Sequence, residues 1–114
     1  LNDVAGLVRS LDYAGRSAVD TAINRGLVAE TDVEALDESR ASWTHAMAEL
    51  TVATYLAAVE PARLVPPDDA DARLLLDVYV LEKALYEIRY ELANRPDWVH
   101  WPLTAVADMI AGPT

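Results

Sequence analysis

Tyr79, Lys83, Tyr86 and Tyr90, with Glu82 at their edge, are spaced so that a helix advancing about 100° per residue gathers them into one narrow band. Aromatic rings beside charged hydrogen-bonding groups are the materials of a carbohydrate site. The rings lie against the apolar faces of sugars, while carboxylates, Lys and Arg pair with hydroxyls. The same band suits a protein interface, where Tyr is enriched. It equally suits a bundle rim whose tyrosine hydroxyls sit in water. Almost opposite, Leu74, Val78, Leu81, Leu85, Ile88 and Leu92 form an apolar stripe that reads as the core-facing side.

A second polar row lies near the start of the chain: Arg9, Asp12, Tyr13, Arg16 and Asp20. Arg16 and Asp20 read as a solvated surface laced by ion pairs three and four residues apart, each worth ~0.2–0.5 kcal/mol. Arg9, Asp12 and Tyr13 lie nearer the chain start, where a missing portion would join, and are the better candidates for contact with residues absent from this chain.

Catalytic and metal-binding patterns do not emerge. The chain has no cysteine, and its two histidines, His45 and His100, are too few and too far apart for a metal cluster. Its four glycines are not clustered into a phosphate loop, and neither a Ser-His-Asp nor an HExxH pattern is present. The expectation is a binding surface with no catalytic and no metal-ligating residue, unable to bind ATP or catalyse a reaction unaided.

The elements that must position these residues are helical. The first helix spans about Asn2 to Asn24, carries Val4, Leu7, Val8, Leu11, Ala14, Ala18 and Ala22 at helical spacing, and stops at Gly26. Thr31-Asp32-Val33-Glu34 has the form of a capping box for a second helix reaching about Glu60, with Trp43, Met47, Leu50, Thr54 and Ala57 along one side. Pro61 and Pro66-Pro67 break the pattern, and Asp68 and Asp69 favour a helix N-terminus. The third helix runs from about Ala70 to Ala93 and is closed by Pro96. Trp98-Val99-His100-Trp101-Pro102 reads as an aromatic connection whose tryptophans cover the bundle end, and a short last helix spans about Leu103 to Ile110. The expected architecture is therefore a single all-α domain over residues 1–114, an up-and-down bundle of about four helices.

With 114 residues and 53% apolar content the chain is large enough for one modest core. A formal net charge of -10 argues against a general nucleic-acid or anionic-membrane surface. No apolar run is long enough to span a bilayer and no signal peptide is evident, so a cytoplasmic location is expected. The chain opens on Leu1, already inside an amphipathic pattern, as a piece of a longer protein would.

Two stretches, VAGLVRSLDYAGRSA near the start and LLLDVYVLEKALYEIRYELANRPDWVHWPL near the end, resemble the C-terminal region of bacterial maltokinases. The likeness covers both ends in the right order and separation, with Gly26 to Ala72 less distinctive. It departs at Ala93, where the family often has Asn, and at His100-Trp101, which replaces a more aliphatic pair before Pro102. The resemblance implies the helical end of a kinase-like C-terminal lobe. The parent enzyme would use ATP and Mg²⁺ to phosphorylate the anomeric hydroxyl of maltose, giving maltose 1-phosphate for α-glucan synthesis, sometimes fused to a trehalose synthase. The catalytic aspartates of such kinases would lie upstream, in an N-terminal kinase portion not included here. On that resemblance Glu82, Lys83, Tyr86 and Tyr90 become contacts for maltose or a related α-glucoside, with Tyr79, Arg89, Arg9 and Tyr13 as further candidates. The alternative is a non-enzymatic helical domain that docks a protein partner on its tyrosine face.

Overall fold

The computed structural model describes residues 1–59 and 68–112. Among them all regular structure is helical: α1 (Asn2–Asn24), α2 (Val33–Val59), α3 (Asp69–Asn94) and α4 (His100–Ala111). The prolines expected to separate the second and third helices, Pro61, Pro66 and Pro67, lie outside the described residues. No helix among the described residues is long and apolar enough to cross a membrane.

Local chemistry sets most of the helix ends. After α1, Gly26 adopts φ +67°, and its N–H and that of Leu27 donate to the carbonyls of Ile23 and Ala22 at 3.0 and 2.9 Å. This is a Schellman closure, and the left-handed backbone explains why glycine stands there. At the start of α3, Asp68 accepts from the Ala70 N–H at 2.8 Å and satisfies one of the donors that a helix start leaves open. Thr31 behaves differently from the expected cap: it lies inside a 3₁₀ turn, Glu30–Asp32, that leads directly into α2. The aromatic connection is also more regular than expected. Pro96–Trp98 forms a 3₁₀ turn, and α4 begins already at His100, with Pro102 in its first turn, where an N–H is not needed.

Helix α1 is central. It runs antiparallel to α2, since Leu1 lies against Tyr55 while Gly15 lies against Arg40 and Thr44. A Cβ on Gly15 would stand 3.1 Å from Arg40 Cγ, so the two helices approach closely at that point. Helices α1 and α3 run parallel: Gly6 meets Lys83, Arg9 meets Glu87, and Tyr13 meets Glu91. The chain is thus up, down and up, with α4 folded back across the far end. A small apolar core joins the three long helices through Val4, Ala5, Val52 and Leu76, with Tyr55, Leu56, Tyr79 and Val80 packed around it.

Two expected faces are reversed. Leu74, Val78, Leu85 and Leu92 are 48–64% exposed, and Leu81 and Ile88 are only half-buried. The inward side of α3 instead carries Ala72, Leu76, Ala84 and Glu91. On α2 the expected inner residues Trp43, Leu50, Thr54 and Ala57 are exposed, and Val52 is buried in their place. On α1, Arg9 and Asp12 are buried against residues of this same chain, and Arg16, expected as solvated surface, has a side chain only 11% exposed. The common cause is that α1 has a neighbour on each side. Its polar residues fall in the seams, and charged partners on α3 and α2 must turn inward to meet them. The radius of gyration, 15.6 Å, exceeds the about 13 Å of a compact domain of this length, in keeping with the small core.

Candidate functional site

The parallel pairing of α1 and α3 opens a cleft of about 600 Å³ along their shared edge. Gly6, Ser10, Ala14 and Ser17 form the α1 wall, and their small side chains leave the space unfilled. Lys83, Tyr86, Glu87 and Tyr90 form the α3 wall, one helical turn after another. Arg9 and Tyr13 lie along the seam between the walls, while Arg95, Trp98 and Trp101 close one end.

The aromatic residues form a continuous lining. Tyr86 and Tyr90 are 65% and 43% exposed, and their rings stack with centroids 6.4 Å apart and planes 24° from parallel. Arg95 lies 4.0 Å from the Trp98 ring centroid and 5.4 Å from that of Tyr90, spanning the two by cation–π contact. Trp101 packs edge-on against Tyr13 and is held by a 3.0 Å hydrogen bond from its Nε1 to Asp20.

Beneath the rings lies a buried ionic chain. Arg9 donates through Nε to Glu87 at 2.7 Å and through Nη1 to Asp12 at 2.8 Å. Asp12 also accepts from Arg16 at 3.0 Å, with Arg40 at 3.7 Å. Glu91, fully buried, accepts from Arg95 at 2.9 Å and from the Tyr13 hydroxyl at 3.2 Å. Nη2 of Arg9 is buried without a hydrogen-bond partner among the described residues. Burial raises the Glu87 pKa above the usual glutamate range despite the attraction of Arg9. Tyr13 is pushed upward by burial and then by Glu87 and Glu91, so its hydroxyl stays protonated and donates.

The structure brings Arg9, Tyr13, Lys83, Tyr86 and Tyr90 into one cleft. It does not bring Glu82, Tyr79 or Arg89 there. Glu82 and Arg89 are exposed outside the lining, and Tyr79 packs against the apolar core. Glu87, Arg95, Trp98 and Trp101 are lining residues that sequence reasoning did not assign to the site. By its residues the Arg95-Pro96-Asp97-Trp98 segment reads as a helix stop with Trp98 covering the bundle end. It nevertheless carries the one clue available, a cation and an indole placed a turn beyond Tyr90.

Chemically, the cleft offers flat rings, hydroxyls and cations, with Lys83 making no ion pair among the described residues. Among the described residues no group of three or more His, Asp or Glu could hold a metal ion. The chemistry such an arrangement can supply is stacking and hydrogen bonding. No protein-family model matches the chain, and no solved structure matches it.

Proposed function

We propose that the α1–α3 cleft holds a saccharide and that this chain is the acceptor-sugar part of a maltokinase-like kinase. The observation that carries the reading is the pair of stacked, exposed rings of Tyr86 and Tyr90 beside Lys83, which makes no ion pair among the described residues. A sugar laid on the two rings would present its hydroxyls to Lys83, Arg95 and the α1 serines. The ionic chain beneath would keep Tyr13 and Glu87 fixed, so the cleft would need little rearrangement on binding. The role is positional: to hold maltose or a related α-glucoside with its anomeric oxygen turned toward a phosphoryl donor. ATP and Mg²⁺ would be held by an upstream kinase portion. Among the described residues no group of three or more His, Asp or Glu could hold a metal ion, and the four glycines form no phosphate loop. A cytoplasmic setting, where ATP is supplied, belongs to the same proposal.

The test uses the tryptophans that close the cleft. Maltose added to the chain should change the emission of Trp98 and Trp101 saturably, and Tyr86→Ala should weaken binding by roughly tenfold. Glu82→Ala, outside the cleft, should bind as the wild type does. Emission that does not respond to maltose, with calorimetry also silent, would contradict the reading.

A further inference from the structure

The apolar residues on the outer side of α3 are separated by four, three, four, three and four positions: Leu74, Val78, Leu81, Leu85, Ile88 and Leu92. That is an unbroken heptad seam with Val78, Leu85 and Leu92 at one core position and Leu74, Leu81 and Ile88 at the other. It runs about 27 Å along the helix. Leu74, Val78, Leu85 and Leu92 along it are 48–64% exposed, while Leu81 and Ile88 are half-buried. A spacing of 3.5 residues fits one kind of neighbour, another helix crossing at a shallow angle.

We propose that this seam pairs with the same seam of a second copy of the chain, antiparallel to it. Charge selects the direction. Asp71, Asp77 and Glu82 stand exposed beside the N-terminal half of the seam, and Arg89 beside its C-terminal half, none with an ion-pair partner among the described residues. A parallel pair would stack like charges against one another. An antiparallel pair brings Glu82 of each copy within reach of Arg89 of the other. Apolar pairing selects the register: matching Leu74 with Leu92, Val78 with Ile88 and Leu81 with Leu85 leaves none of the apolar positions unmatched. Each then sets one core position against the other. The cleft opens on a different side of α3, so a dimer of this kind leaves Tyr86 and Tyr90 free for ligand. The inference therefore stands or falls separately from the saccharide reading.

Sedimentation equilibrium of the chain tests it directly, with far-UV circular dichroism reporting the fold of every variant. The wild type should be dimeric at micromolar concentration, and Leu85→Glu monomeric with its helix content kept. Arg89→Glu should weaken the dimer by roughly threefold, and Glu82→Arg combined with Arg89→Glu should restore it. Because the chain contains no cysteine, Leu74→Cys and Leu92→Cys chains give an unambiguous orientation. Mixed and oxidised, they should cross-link to each other, while Leu74→Cys alone should not. A monomeric wild type, a dimer that survives Leu85→Glu, or a Leu74→Cys homodimeric cross-link would each overturn the proposal.

Discussion

Along its inner side α3 presents Lys83, Ala84, Glu87 and Glu91 to α1, whereas its outer side carries Leu74, Val78, Leu85 and Leu92 into the open. By hydrophobicity alone the helix would be turned the other way. The difference shows what orients an interior helix here. Arg9 and Tyr13 on the central helix fall in the seam with α3, where Arg9 Nε donates to Glu87 and the Tyr13 hydroxyl to Glu91, and leaving these polar groups without partners in the seam is more costly than exposing a leucine. Glu87 and Glu91 therefore face inward, and the leucines follow the rotation outward. The outer side is left with area to bury, and the inner side with the polar and aromatic surface of a cleft.

The largest expected effect lies on the inner side. Arg9→Met removes the cation between Asp12 and Glu87 and should destabilise the fold by about 3–5 kcal/mol, read from urea unfolding. A loss no larger than that of an exposed substitution would mean that the ionic chain does not orient α3. At the cleft surface, Tyr86→Ala removes a ring that is 65% exposed. It should cost under about 1 kcal/mol of stability while abolishing most saccharide affinity. A large loss of stability would make Tyr86 a packing residue and not a platform.

The pH dependence sharpens the same contrast. Burial holds the Glu87 pKa above its ordinary 4.5. Its favourable contribution is therefore complete below that value and is lost as pH rises through the elevated folded-state pKa. Glu87→Gln carries no such titration, so the variant should gain stability relative to wild type as pH increases from the ordinary glutamate range. Asp37, held low by its bond from Arg40, has the opposite sign: its contribution is present above the ordinary aspartate range and lost as pH falls. Parallel unfolding curves at several pH values, with no divergence between Glu87→Gln and wild type, would contradict the assignment. The smallest effect is on the outer side. Leu92→Gln, at a position 60% exposed, should change the stability of the dilute monomer by no more than about 0.5 kcal/mol.

Much of this architecture was legible in the residues. Gly26 and Asp68 mark helix ends through local chemistry that depends on no distant partner, and both act as expected. The band of Lys83, Tyr86 and Tyr90 was legible because helical periodicity alone places them on one side. What was not legible is which side of each helix faces inward. The Leu74–Leu92 stripe was read as core because burial is the usual fate of such a stripe. Its exposure follows from Arg9 and Tyr13 across the seam, and one sequence does not reveal that α1 and α3 run parallel in this register. Glu87 and Glu91 were missed for the same reason, since a glutamate on a helix looks identical whether it meets water or a buried arginine. On α2 the periodicity of Trp43, Met47, Leu50, Thr54 and Ala57 points to the wrong face, because Val52, the residue that is buried, stands among alanines and threonines that give it no apolar row of its own.

The most direct measurement is a titration of the isotopically labelled chain with maltose, followed residue by residue in amide and side-chain NMR spectra. The account predicts saturable shifts at Lys83, Tyr86, Tyr90, Arg95 and Trp98, with Leu74, Val78 and Leu92 on the opposite side unmoved. Shifts confined to the outer seam, or no shifts at all, would contradict the assignment of the α1–α3 cleft as a saccharide site.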